Sequence, residues 1–317
     1  MLVPFRFRAI MVGLAVAAAV GLAMSLAGCS SSPSGGVAAG AGSQPIRVVA
    51  AESFWGSIAA QLGGDRVQVT SIITNPATDP HAYEATAADA RTIATAQYVI
   101  INGVGYDPWA PKLVDANPAS GRKVLNVGQL VGVPDGGNPH RWYAPPDVER
   151  VIDQITADYK LLNSKDAGYF DQQRQRFETQ GLARYHALIN RLKRDDAGVP
   201  VGASESIFAP LADALGLKLL TPAGFLNAIS EGADPTAADK ATTDRQLATR
   251  QVKVFVYNSQ NATPDVKALV VQAQAEGIPV ATVTETPTPS GASFQDWQTR
   301  QLAELADALA RAKATSQ

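Results

Sequence analysis

The segment Tyr98-Val99-Ile100-Ile101-Asn102 decides the fold class of this 317-residue chain. Its aromatic and β-branched residues follow one another without polar interruption, which is typical of a strand buried on both faces of a parallel sheet. In parallel sheets, the helices that connect successive strands cover these two faces. The segment therefore predicts an α/β protein in which strands and helices alternate.

Seven other segments have the same strand character and are separated by helical patterns. They are residues 46–51, 67–73 and 123–127 in the first half of the chain, and 199–204, 217–220, 252–257 and 278–284 in the second half. The two sets are separated by a polar-rich stretch of helical composition that contains no proline. We therefore predict two parallel-sheet α/β lobes, residues 46–163 and 196–317, joined by one long rigid α-helix over residues 164–195.

The N-terminal residues are predicted to be an export signal rather than part of the fold. Arg6 and Arg8 precede an uncharged, alanine-rich run that ends in Leu26-Ala27-Gly28-Cys29. A basic start, an apolar centre and a small-residue cleavage site indicate a secretory signal over residues 1–28. The alternative is a permanent transmembrane helix, because the run approaches the ~20 residues that span a bilayer. The small residues and the lack of a charged stop-transfer pattern favour the signal.

Cys29 is the only cysteine in the chain, so it cannot form an internal disulfide and is either a free thiol or chemically used. The segment Leu26-Ala27-Gly28-Cys29 resembles a bacterial lipobox, in which the cysteine becomes the lipidated N-terminus after cleavage. The Ser- and Gly-rich residues that follow predict a flexible tether over residues 29–45. We expect an exported bacterial protein, anchored through Cys29 to the lipid bilayer at the outer face of the cytoplasmic membrane, on the cell surface or in the periplasm.

The charge pattern argues against nucleic acid as a partner. The chain has 27 Lys and Arg against 29 Asp and Glu, for a formal net charge of −2, and the basic residues form no long run or stripe. Neutralising phosphates needs clustered basic side chains. With 46% hydrophobic and 18% charged residues, the composition indicates a globular protein.

Four side chains lie where an open α/β sheet binds its ligands, outside the carboxyl ends of the strands. His81 and His140 follow prolines in loops after strands of the first lobe, and Glu205 and Glu285 end strands of the second lobe. Their wide spacing in the sequence excludes a local finger-type metal site, whose ligands come in close pairs. Two imidazoles with two carboxylates suit zinc, manganese or iron better than calcium or magnesium. The third histidine, His186, lies in the predicted linker helix and is interpreted as a solvated or core-edge side chain.

Several motifs in fixed order resemble those of the zinc/manganese solute-binding proteins of ABC importers. The segments that carry the resemblance are residues 79–84 (Asp-Pro-His-Ala-Tyr-Glu), 102–109, 138–142 (Asn-Pro-His-Arg-Trp), 205–208, 214–217 and 225–232. The resemblance implies a two-lobed fold with a rigid helical linker and a metal held in the cleft by His81, His140, Glu205 and Glu285. It also implies a membrane permease and its cytoplasmic ATPase as partners.

The chain departs from the family pattern at two places. The acidic, His-rich loop that is common in zinc-type members is absent, so zinc and manganese both stay open as cargo. Residues 257–260 read Tyr-Asn-Ser-Gln where many members carry a glutamate beside the glutamine, so the support of the ligands is expected to differ.

We therefore predict a monomeric, non-catalytic protein that captures Zn²⁺ or Mn²⁺ as cargo for an ABC importer. One alternative is a secreted zinc hydrolase, which would need an open metal position and a nearby general base. The other is a surface adhesin lipoprotein whose metal is structural, so that metal removal would unfold it. We also expect metal binding to weaken as the pH falls through roughly 6.5, because both histidine ligands must be neutral.

Overall fold

Two parallel sheets of four strands each form the framework of the computed structural model, which describes residues 44–315. In chain order the strands are β1 (Ile46–Glu52), β2 (Val67–Ile73), β3 (Tyr98–Ile101), β4 (Lys123–Asn126), β5 (Pro200–Ala203), β6 (Lys218–Leu219), β7 (Val254–Asn258) and β8 (Val280–Val283). All eight predicted strands are present, and the two-lobed α/β fold class is confirmed.

Each sheet has the same strand order, with the second strand of the lobe at one edge. The orders are β2-β1-β3-β4 and β6-β5-β7-β8, and every pairing is parallel. All four residues of β3 are buried, as the continuous apolar pattern predicts for an inner strand of a covered sheet. The order also places β7 between β5 and β8, and this placement determines which side chains meet at the carboxyl end of the second sheet.

Helices connect the strands in both lobes. In chain order the α-helices of the described residues are α1 (Ser53–Gly63), α2 (Ala87–Thr95), α3 (Trp109–Ala116), α4 (Val127–Val131), α5 (Pro145–Leu162), α6 (Ala167–Arg176), α7 (Ala183–Asp196), α8 (Ala209–Leu215), α9 (Ala223–Ser230), α10 (Ala237–Ala248), α11 (Pro264–Ala275) and α12 (Phe294–Ala314). Several begin with a side-chain cap, as in α12, where Ser293 accepts a hydrogen bond from the backbone amide of Asp296.

The predicted linker is helical but is not one uninterrupted α-helix. It begins with a 3-10 turn, and a π-helical turn over Phe177–Gly181 separates α6 from α7. The amide of Leu182 donates to the Phe177 carbonyl oxygen at 2.8 Å, five residues back. Phe177 is buried over Gly181, where a β-carbon would meet its ring at 2.8 Å. The ring thus lies against the one residue of the turn that has no side chain, and helical composition alone does not reveal this turn. The lobe boundaries at residues 163 and 195 stay predictions.

The last helix, α12, joins the lobes a second time. The amide side chains of Gln61 in α1 and Gln295 in α12 exchange two hydrogen bonds at 3.0 and 2.7 Å. The Phe54 ring in α1 stacks on Trp142 at 4.1 Å between ring centroids and lies 6.3 Å from the Trp297 ring in α12. All three rings are fully or almost fully buried. The two lobes therefore share an apolar core in addition to the linker.

The signal sequence, Cys29 and nearly all of the predicted tether lie outside the described residues. Among residues 44–315, no helix combines the length and the apolar character that a membrane span requires.

Candidate metal centre

Three of the four predicted metal ligands converge at the carboxyl ends of the two sheets. His140, Glu205 and Glu285 each offer one ligand atom, and these atoms all lie within 4.8 Å of one another. Glu205 lies two residues after the end of β5, and Glu285 lies two residues after the end of β8. Bonds from zinc to nitrogen and oxygen are about 2.0–2.2 Å long, so two ligands of one ion lie at most about 4.4 Å apart, and three atoms gathered this closely need at most small side-chain shifts to bind one ion.

The fourth predicted ligand, His81, lies at the mouth of this group rather than inside it. It is exposed in the loop after β2, and its backbone amide donates to the Asp79 carboxylate at 2.9 Å. Its ring packs edge-on against Tyr106, with 4.8 Å between the ring centroids. His81 and Glu285 both line a cavity of about 360 Å³.

The His140 imidazole is held in one tautomer by Asn138. The Asn138 side-chain oxygen lies 2.9 Å from His140 Nδ1 and also accepts from the His140 backbone amide at 3.0 Å. The Asn138 nitrogen donates to the Ser206 carbonyl oxygen at 2.7 Å, which assigns the orientation of the amide. Nδ1 must therefore carry the hydrogen, and Nε2 keeps its lone pair for a metal. The hydrogen bond from Asn138 links the loop of His140 to Ser206, the residue after Glu205.

Neutral donors hold the two carboxylates. The Asn258 side chain donates to one oxygen of Glu205 at 2.9 Å and to one oxygen of Glu285 at 3.1 Å. Asn261 donates to the other Glu205 oxygen at 2.7 Å, and the Tyr106 hydroxyl donates to the other Glu285 oxygen at 3.1 Å. None of these donors carries a positive charge, so they leave the negative charge of the pair to be balanced by a cation or a proton.

Burial sets the protonation of the metal-free centre. It raises the pKa of Glu205 to about 8, with a further contribution from the negative charge of Glu285. Burial also raises the pKa of Glu285. The pKa of His140 is lowered to about 3, chiefly by burial and then by the positive charges of His81 and Arg141. Protonation of His140 is therefore not what would weaken metal binding near pH 6.5, because a buried imidazole stays neutral there, and the pH dependence of binding stays a prediction.

The sequence did not single out the amide side chains that form hydrogen bonds with the predicted ligands. Asn138 lies inside a recognised motif, and Asn258 lies in the segment that departs from the family pattern. Gln260, in the same segment, accepts hydrogen bonds from the backbone amides of Glu285 and Thr286 at 2.8 and 3.0 Å. The signal that would have found Asn258 is the strand order, because only this order shows that β7 ends between the strands that precede Glu205 and Glu285.

Comparison with known families agrees with this geometry. The model of the family described as "Zinc-uptake complex component A periplasmic" matches residues 48–308. The chain belongs to this family. The resemblance seen in the sequence motifs is thereby confirmed.

Curated relatives and solved structures are similar over most of the chain. The manganese-binding lipoprotein MntA of Bacillus subtilis is 22% identical over 271 residues, covering 83% of this chain and 85% of MntA. The zinc-binding lipoprotein AdcA of Streptococcus pneumoniae is 24% identical over 273 residues, covering 74% of this chain and 50% of AdcA. A Mn-bound periplasmic metal binding protein of Candidatus Liberibacter asiaticus has the same fold, with a TM-score of 0.69, 21% identity and coverage of 83% and 99%. The two curated relatives are named as binding proteins, not as enzymes.

Proposed function

We propose that this chain is the extracytoplasmic solute-binding component of an ABC importer, which captures Zn²⁺ or Mn²⁺ and delivers it to a membrane permease driven by a cytoplasmic ATPase. The observation that carries the proposal is the group of His140, Glu205 and Glu285, whose ligand atoms lie within 4.8 Å of one another. Two buried acids without a cationic partner are costly in an apolar interior, and a divalent ion would neutralise both.

We further propose that His81 completes the site as the fourth ligand. Its loop lies on the wall of the cavity that reaches Glu285, and its ring already contacts Tyr106, which donates to Glu285. A movement of this exposed loop would bring the imidazole to an ion held by the three inner ligands. His81, His140, Glu205 and Glu285 would then bind the ion through two nitrogens and two carboxylates, a set that suits both zinc and manganese.

The two alternatives fit the structure less well. A zinc hydrolase keeps one metal position open for water, whereas four protein ligands fill a tetrahedral site, and we propose no enzymatic activity. A structural metal would be required for folding. Here the shared core of Phe54, Trp142 and Trp297 packs through ring contacts that need no ion, so the metal-free protein should stay folded and release its cargo.

We propose that the protein acts as a monomer anchored by lipid on Cys29 to the outer face of the cytoplasmic membrane. The proposal rests on the lipobox-like segment before Cys29 and on relatives that are named as lipoproteins. Fractionation of cells that express Cys29→Ala, together with the mass of the chain, tests it, because the variant should either leave the membrane fraction or keep its uncleaved signal. A variant that stays with membranes and is processed like the parent would contradict the proposal.

Calorimetric titration of metal-stripped protein tests the proposed function. We expect one Zn²⁺ or Mn²⁺ per chain, a folded protein before and after titration, and proton release near pH 7. The sign follows from the raised pKa of Glu205, about 8, because the protein must lose this proton to bind metal. Affinity should therefore rise with pH up to about 8, by about tenfold per pH unit for each proton displaced. Unfolding of the stripped protein, or the absence of saturable binding, would contradict the function.

A further inference from the structure

The side chain of Asn258 occupies a position that the strand order creates. Asn258 is the last residue of β7, and β7 lies between β5 and β8, the strands that carry Glu205 and Glu285. Its side chain is fully buried. Parallel strands end at the same edge of a sheet, so a side chain at the end of the middle strand lies between those that follow its two neighbours.

The hydrogen bonds of Asn258 assign the orientation of its amide group. Its oxygen accepts from the backbone amide of Gln260 at 2.9 Å, and its nitrogen lies 2.9 Å from a Glu205 oxygen and 3.1 Å from a Glu285 oxygen. Only the nitrogen can donate, so both of its hydrogens point at carboxylates. The Asn258 backbone amide donates to Ser204 at 3.0 Å, which keeps the residue in place. One neutral group thus spans the two acidic ligands.

The other oxygens of the carboxylates are also held. Asn261 binds the second oxygen of Glu205, and Tyr106 binds the second oxygen of Glu285. A hydrogen bond at each oxygen takes one of its two lone pairs and resists rotation of the carboxylate, which makes chelation of one ion by both oxygens less favourable. Each acid is therefore arranged to bind through one oxygen, which keeps the coordination number low. Zinc favours four ligands in a tetrahedron, whereas manganese favours octahedral oxygen-rich sites.

We propose that Asn258 is a positioning residue that holds Glu205 and Glu285 as single-oxygen ligands and so favours zinc over manganese. The inference rests on the proposed function, since it concerns the selectivity of the same site. The hydrogen bonds from Asn258 should raise the ratio of zinc affinity to manganese affinity, whichever metal the protein carries in the cell.

Competition titrations of zinc against manganese at fixed pH test this role. The variants are Asn258→Ala, which removes both donors, and Asn258→Asp, which keeps the size and the oxygen that accepts from Gln260 but gives up both donors. The control is Asn126→Asp, the same exchange at the end of β4, where the side chain caps α4 and touches none of the proposed ligands. Thermal unfolding of each metal-free variant checks that it is folded.

We expect the zinc/manganese affinity ratio to fall in both Asn258 variants and to stay at the parent value in Asn126→Asp. In Asn258→Ala, zinc affinity should fall by about 10- to 100-fold, the usual cost of losing a group that supports a metal ligand, and manganese affinity should fall less. An unchanged or higher ratio in folded Asn258→Asp would overturn the inference, as would an equal shift in the control. If the parent itself binds neither metal, the proposed function fails instead.

Discussion

Replacing His140 by alanine is expected to lower the affinity for Zn²⁺ and Mn²⁺ by more than about 100-fold, beyond the cost of losing a supporting group. His140 is buried, its Nε2 is free for a metal, and its tautomer is set by Asn138 before the ion arrives. The variant loses one of the three proposed ligands that converge and keeps two acids whose charge only a cation or a proton can balance. Calorimetric titration of the stripped variant against the parent gives the ratio directly.

His186→Ala is the matched control for this loss. His186 lies on α7, and its Nε2 is 2.9 Å from Glu149 on α5, with about a third of each side chain exposed. Neither residue of this pair is a proposed ligand, so its loss should leave metal affinity unchanged. His81→Ala should weaken binding less than His140→Ala, because the three inner ligands remain. Equal losses from His140→Ala and His186→Ala would mean that the ligands are wrongly assigned.

Phe54→Ala is expected to lower the free energy of unfolding of the metal-free protein by about 3–5 kcal/mol, the range for truncating a buried aromatic side chain. Phe54 is fully buried and contacts Trp55, Trp142 and Trp297, so its removal leaves a cavity between α1 and α12. Urea-induced unfolding at fixed pH, followed by tryptophan fluorescence, measures the change.

The control for this core substitution is Leu161→Ala in α5. Leu161 is 71% exposed, and truncating an exposed side chain changes stability by no more than about 0.5 kcal/mol. A loss below about 1 kcal/mol in Phe54→Ala would show that the site relaxes freely and that the aromatic contacts between α1 and α12 contribute little. The shared core would then not explain why the metal-free protein stays folded.

Local patterns in the sequence predict the fold because burial on both faces leaves a local signature. The continuous apolar run of β3 indicates a covered parallel strand without knowledge of its neighbours. Glu205 and Glu285 are predicted as ligands in the same way, since each follows a predicted strand end, where ligands of open α/β sheets bind. The π turn escapes prediction because the residues around it have the same helical composition as α6 and α7.

The hydrogen bonds that hold the acidic side chains, and the protonation of the centre, depend on which strands are neighbours. Asn258 and Glu285 are 27 residues apart in sequence, and only the order β5-β7-β8 brings them within hydrogen-bonding distance. The low pKa of His140 likewise results from surroundings that distant segments supply. The exposed position of His81 depends on the path of its loop, which the proline before it restricts but does not determine.

The position of the ion in crystals of the zinc-loaded protein tests the central claim most directly. An anomalous difference map at the zinc edge should contain one strong peak per chain, about 2.0–2.2 Å from a His140 nitrogen and from carboxylate oxygens of Glu205 and Glu285. The His81 imidazole should complete the tetrahedron. A peak that touches none of the three inner ligands, or an ion bound only at the surface, would contradict the account.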